Sequence, residues 1–344
     1  MKLAAVRRKL APGLKTTLLG TGCYSALRRI RPSRVLAILR YHAICGPEGH
    51  TYADPAICIS PAAFERHVKY LAANYCVLPL PEAVAALRSH KALPANAIAI
   101  TFDDGYADNL WAARLLAQHG VTGTFFLTAG CIGGEQPFWP SEVRALILGI
   151  AASDLRLTLN GNALELPLRS TQDRLTAISR ITRLFKSHPV PVRERLREQL
   201  RALAPAARLP SVMLTWADAA EMHRLGMTIG SHTLTHANLP SAGLEDATRE
   251  IVASRQTIER ALHIPVTLFA YPNGGAERYV TPELQRVVEA AGFHAAFSSR
   301  NGFASPGSNT YALERIQVAE RLEDLLFGLE VERFAFKPRQ AAGC

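Results

Sequence analysis

Between Ala97 and Tyr106 the chain reads AIAITFDDGY, an apolar run that ends in Asp103, Asp104 and a glycine. Ile98, Ile100 and Phe102 recur with period two and mark a buried strand. Each of the two adjacent carboxylates disfavours ionisation of the other, so the pair calls for a cation supplied from elsewhere in the chain. The matching segment is SHTLTH, Ser231 to His236, whose two imidazoles stand four residues apart after a second apolar run, Met227 to Gly230. One carboxylate with two histidines makes a three-ligand metal site and leaves the other carboxylate free to act as a base. Both motifs fall at the carboxyl ends of strands, where ligands gather in α/β sheets.

Around these motifs the chain alternates strands and helices. Val35 to Tyr41 is the first strand and delivers His42 at its end. Ser60-Pro61 caps a helix that carries Phe64, Val68 and Leu71 on one face. A short helix near Pro81 to Leu87 precedes the Ala97 strand, and another runs from beyond Gly105 to about His119, stopped by Gly120. Thr122 to Thr128 is the next strand. The rhythm breaks over residues 140–210, where LRLTLNGNALELPL places alternating leucines around Asn160-Gly161, a hairpin signal, before Arg-rich helical segments. This stretch reads as an insertion that shapes a cleft or elaborates the scaffold. Strands then follow at 227–232, Val266 to Tyr271, His294 to Ser298 and Tyr311 to Val318, with helices over Leu244 to Leu262, after Thr281-Pro282, and over Leu322 to Leu329. Six or seven such units make an irregular (β/α) barrel over residues 34–335 the expected α/β fold. An arm, 1–33, precedes it and a tail, 336–344, follows.

Charge is concentrated in the arm. Residues 1–40 hold ten of the 39 Lys and Arg and none of the 29 Asp and Glu, so the remainder of the chain is balanced. That argues against a nucleic-acid partner, which needs a basic face on the folded domain. It favours an amphipathic arm, with Leu10, Leu14, Leu18, Leu19 and Leu27 on one helical face, meeting an anionic membrane peripherally. The alternative is an ordinary surface helix. No run of 18 apolar residues is present. Leu14 to Leu27 matches a secretory signal poorly, because glycines and threonines break it and Arg28-Arg29 follow. The six cysteines have no ligand-like spacing and read as scattered thiols. The expected compartment is the cytoplasm or the inner membrane face, with export left open.

Open coordination positions distinguish a catalytic Asp/His/His site from a closed structural one. A bound divalent ion lowers the pKa of its water towards neutrality, and the neighbouring carboxylate takes the proton. This suits hydrolysis of an amide or ester. TFDDGY at 101–106 and SHTLTH at 231–236 resemble the first two motifs of the NodB-homology polysaccharide deacetylases, carbohydrate esterase family 4. Weaker matches are LRYHAI at 39–44, PFW at 137–139, LTW at 214–216 and FAYPNG at 269–274. The resemblance implies a distorted (β/α) barrel and metal-dependent removal of N-acetyl groups from amino sugars, usually with zinc. By position it makes Asp103 the catalytic base and Asp104, His232 and His236 the metal ligands. It places the backbone N–H of Asn273 at the oxyanion and Tyr271 in the same substrate-facing turn.

Two features depart from the family pattern. Ala270 and Asn273 stand where an arginine and an aromatic residue are usual, and Leu313-Glu314-Arg315-Ile316 occupies the place of the late histidine motif that supplies the general acid. His42 is then the candidate acid or substrate contact. Arg315 is a candidate to restore positive charge near Asp103. Trp139 is weighed between stacking on a sugar and packing in the core. The LRYH and FAYPNG variants resemble a branch tied to cell-surface glycan synthesis. The expected activity is N-deacetylation of a glycan or lipid-linked saccharide, releasing acetate. The competing readings are a deformylase of an N-formyl amino sugar and a catalytically inactive sugar-binding barrel.

Overall fold

A computed structural model describes residues 12–134, 136–205, 211–273 and 279–335. Seven parallel strands close a barrel in chain order: β1 (Ala37–Tyr41), β2 (Ala97–Phe102), β3 (Thr124–Leu127), β4 (Thr228–Ser231), β5 (Leu268–Ala270), β6 (Ala295–Asn301) and β7 (Leu313–Gln317). Closure is made by β1, which pairs with β7 on one side and with β2 over Ala37↔Ile98 to Tyr41↔Phe102 on the other. Cys76–Val77 adds a short parallel strand beside the start of β2.

The period-two alternation of each strand sorts its residues into two cores. Ile38, Ala97, Ala99, Phe126, Leu268, Ala270, Phe297 and Leu313 fill the barrel interior. Leu39, Ile98, Ile100, Phe125, Ile229 and Phe269 face outward against Phe64, Leu116, Ile251 and Val288 of the surrounding helices. Gly230 on β4 is required by the interior, since a Cβ there would lie 2.5 Å from the Phe126 ring. The Leu80–Arg88 helix adds Leu80, Val84 and Leu87 to the interior, and its Arg88 reaches the His294 carbonyl just ahead of β6.

Several elements are shorter than the sequence patterns imply. The helix after the acid pair begins at Asn109, because Asp104 and Gly105 adopt positive φ and Gly105 to Asp108 form a turn. The first strand begins at Ala37, with Leu36 held only by a bridge to Ala304.

Residues 139–203 build a second layer over the barrel mouth. The helices Trp139–Gly149, Thr171–Ser187 and Val190–Leu203 pack with the antiparallel hairpin Asp154–Leu159/Asn162–Pro167 around Val143, Ile147, Leu155, Ile181, Phe185 and Leu196. Glu142 is fully enclosed and accepts from both Arg197 and Arg201.

The described part of the arm forms two helices, Pro12–Gly20 and Cys23–Ile30, interrupted at Gly22 with φ 72°. Leu14, Leu18, Leu19 and Leu27 therefore do not share one continuous face, and Leu10 lies outside the described residues. Leu18 and Leu19 pack on the barrel while Leu14 is exposed. Lys15 and Arg28 pair with Asp324 and Glu330 of the Leu322–Glu330 helix. Residues 1–11 and the tail 336–344 lie outside the described residues. Cys45 and Cys58 depart from the reading of scattered thiols, since the short parallel pair Ala43–Ile44/Cys58–Ile59 sets their sulfurs 3.1 Å apart as free thiols. No described helix is long and apolar enough to cross a membrane.

Candidate metal-dependent active site

Inward parity along β2 runs Ala97, Ala99, Thr101, Asp103, so the first acid of the pair continues the barrel interior at its carboxyl end. It is buried there, 1 % exposed, and lines the cavity above. Arg315, on β7 in register with the inward Leu313, grips it at both oxygens: Nη1 donates to Oδ1 at 2.6 Å and Nη2 to Oδ2 at 2.7 Å. The same guanidinium donates through Nε to the Ser298 carbonyl and sits over the Phe126 ring, closing the apolar interior from above. Burial works against the charge of Asp103, but Arg315 and the nearby His232 overcome it and hold the carboxyl down at about 2.

Asp104 turns the other way. Its φ of 77°, uncommon for a residue with a Cβ, swings the carboxylate out of strand alternation. Oδ1 then lies 3.4 Å from His232 Nε2 and 3.3 Å from His236 Nε2. The turn that presents these histidines is also strained, with Thr233 at φ 69° and His236 at φ 56°. Neighbours fix each ring. His232 Nδ1 donates to the Ala270 carbonyl at 2.7 Å, which turns Nε2 towards Asp104. The His236 carbonyl accepts from the Trp139 indole at 3.1 Å, and its ring lies edge-on to Phe138.

The Asp/His/His set fits a metal ion on the structure's own terms. One ligand atom from each residue lies within 4.8 Å of the others, all three residues are buried, and Asp104 Oδ1 is enclosed without a hydrogen bond. Burial disfavours the Asp104 charge, yet the facing imidazoles of His232 and His236 hold the carboxyl well below the usual range. A buried carboxylate oxygen aimed at two ring nitrogens is a ligand set that a cation completes.

These groups open into a cavity of about 290 Å³. His42, delivered by β1, lines it with Nε2 3.8 Å from Asp103 Oδ2, and burial pushes its imidazole down to about 4. Asn273 also lines it, at φ 59°. Of the residues proposed from sequence around the substrate, Tyr271 lies away from the cavity, Trp139 lies on its wall, and Arg315 supplies positive charge beside Asp103. Tyr271 shares outward parity with Phe269, so it is buried among the outer core and donates its hydroxyl to the Tyr311 carbonyl. Arg315 is 0 % exposed behind Asp103 and touches the carboxylate instead of the cavity. Trp139, 2 % exposed, lines the cavity while it packs on Phe185 and supports His236. The wall includes Arg40, Tyr52, Asp54, Tyr106, Arg144 and Lys186, which the motifs did not single out. Arg40 shares inward parity with Ile38 and was detectable on that ground, whereas Arg144 and Lys186 arrive from the second layer with no local signal.

The comparisons agree with this geometry. A family model for polysaccharide deacetylases matches residues 90–152 and 177–296. YxkH of Bacillus subtilis (strain 168), provisionally named a polysaccharide deacetylase, is 23% identical over 299 residues, covering 86% of this chain and 76% of its own. The Streptococcus pyogenes deacetylase PplD, solved in complex with acetate, superposes with a TM-score of 0.56 at 19% identity over 87% of this chain and 99% of its own. IcaB from Ammonifex degensii superposes with a TM-score of 0.57 at 17% identity over 87% and 99%. With the matched model spanning both motifs and more than half of the chain, this protein belongs to the polysaccharide deacetylase family, hydrolases that remove N-acetyl groups from amino sugars.

Proposed function

We propose that the protein is a metal-dependent N-deacetylase acting on an amino sugar within a glycan or a lipid-linked saccharide, releasing acetate. The observation that carries this reading is the meeting of Asp104, His232 and His236 around one unpartnered carboxylate oxygen, beside an ion-paired Asp103 on the same cavity. Asp104, His232 and His236 would hold a divalent ion, zinc by the family's usual preference. Such an ion polarises an amide carbonyl and makes its bound water acidic. Asp103 accepts the water's proton, and Arg315 keeps that carboxylate ionised and aimed. His42, neutral near pH 7 and 3.8 Å from Asp103, is placed to pass a proton on towards the departing amine or to hold the sugar. The backbone N–H of Asn273 is assigned to the developing oxyanion.

Acetate release from N-acetylglucosamine oligosaccharides, measured beside metal content, tests this reading. Asp103→Asn should keep about one equivalent of metal and lose activity by about 10²–10⁴-fold. His232→Ala should lose the metal. Wild-type activity in Asp103→Asn would remove the assigned base. Formate release in place of acetate, from the matching N-formyl sugar, would select a deformylase. Saccharide binding with no turnover in the loaded wild type would select a sugar-binding barrel.

A further inference from the structure

The reaction cavity carries positive charge that the deacetylation chemistry leaves unassigned. Arg40, on β1, is 7 % exposed and lines the cavity. Its Nε donates to Gln317 Oε1 at 3.0 Å, and Nη1 is enclosed with no hydrogen-bond partner. No carboxylate is left for it. Both oxygens of Asp103 are taken by Arg315, Asp104 faces the two histidines, and Asp54, whose Oδ1 accepts from Ala56 N, forms no ion pair with Arg40 and acts on Lys186 through its charge. The Thr171–Ser187 helix brings a second cation, Lys186, to the same wall, and no hydrogen bond or ion pair links its Nζ to any described residue. Lys186 stands at a junction: with Asp54, Arg144, Ile178 and Thr182 it also lines an adjoining groove of about 870 Å³.

Enclosing a guanidinium with an unfilled N–H costs free energy unless a ligand completes it. A neutral acetamido sugar offers only dipoles to these two cations. An oxyanion offers charge-assisted hydrogen bonds that match a guanidinium fork and an ammonium. We propose that Arg40 and Lys186 form an anion subsite beside the reaction centre, which takes an oxyanion carried by the saccharide itself, as a phosphate ester or a carboxylate. The subsite rests on the reading of the cavity as an amino-sugar site, and it makes the enzyme selective for acidic over neutral substrates.

The test is calorimetric binding to metal-loaded Asp103→Asn protein, in which turnover is stopped. The ligands are N-acetylglucosamine, N-acetylglucosamine 1-phosphate, N-acetylmuramic acid and inorganic phosphate. We expect one of the charged sugars to bind about 10-fold or more tightly than the neutral one. Whether the phosphate ester or the carboxylate shows this preference identifies the source of the oxyanion. Adding Lys186→Gln or Arg40→Gln should bring the preference below about threefold. Lys186→Gln carries the test if the buried Arg40 variant fails to fold. Equal affinities for neutral and charged sugars would overturn the subsite. So would a preference that survives both substitutions, which would place the anion on the metal. Equal weakening of neutral and charged ligands by Arg40→Gln would also overturn it, because Arg40 would then only balance the two catalytic acids. Absence of acetate release by the wild type, with the charge preference intact, would instead defeat the deacetylase reading alone.

Discussion

Asp108 ends the turn after Gly105 in surroundings that suit a neutral group. Its Oδ1 accepts from the Asn109 side chain at 2.8 Å, but Oδ2 is enclosed with no partner. Burial pushes its carboxyl up from 3.8 to about 6. The sign follows from linkage. Below about pH 4 the proton is bound in the folded and unfolded chains alike. Between about 4 and 6 the unfolded chain releases it first, so rising pH removes stability, and above 6 the loss is complete. Asp108→Asn abolishes that titration. Its stability relative to wild type should rise between pH 4 and pH 8 by up to about 2–3 kcal/mol, read from urea unfolding at both pH values. A difference that does not change with pH would show that the buried carboxyl is not responsible. At this scale the sequence was informative about direction. Strand parity places Asp103 inward, and it would also have placed Tyr271 outward had it been applied to Phe269 and Ala270. The Asp103–Arg315 grip, 212 positions apart, was approached through the missing family arginine, which made Arg315 the candidate cation, but its two-oxygen geometry was not.

At the scale of elements, the turn that carries His232 and His236 is braced from two sides. The Leu244–Leu262 helix contributes Glu250, whose carboxylate accepts from Leu234 N at 2.9 Å, Thr235 N at 2.8 Å and Thr235 Oγ1 at 2.6 Å. The Val190–Leu203 helix adds Arg193, which donates to the Thr235 carbonyl and hydroxyl. Thr235 is thus fastened by the barrel on one side and by the second layer on the other, and His236 follows at positive φ. Releasing the turn should loosen His236. Glu250→Ala is expected to weaken metal binding by about 10–100-fold, with far-UV circular dichroism unchanged. Competition against a chromophoric chelator measures it, and an unaltered affinity would mean that the strained turn keeps its shape unaided. None of this was legible in SHTLTH. The motif names the candidate ligands, whereas the groups that orient them come from helices whose side chains look like ordinary surface charge. The 140–210 break in rhythm located the second layer but did not reveal that it buttresses the site.

For the molecule as a whole, a sequential seven-strand barrel brings first and last strands together, so its flanking elements meet as well. The βα alternation made the barrel readable, because each strand and its crossover helix are local in sequence. How the ends settle on the closed ring depends on surfaces that exist only after closure. The acid-free arm looked like a free basic segment, yet part of its charge is spent on the barrel. Arg28 is buried beside Glu330, which is 0 % exposed and also takes the Tyr75 hydroxyl at 2.5 Å and Arg333 at 3.2 Å. Arg28 further donates to Asn74 and lies over the Tyr75 ring. Removing its head group leaves Glu330 short of a counter-charge at the seam between the two ends of the chain. Arg28→Ala should therefore lower global stability by about 1–3 kcal/mol, seen in the urea midpoint. If the seam is a shared interaction, the double variant with Glu330→Gln should be less destabilised than the sum of the single changes by about 0.5–3 kcal/mol. Strict additivity would show instead that each residue stabilises its own helix, and that the arm and the last helix are neighbours without being coupled.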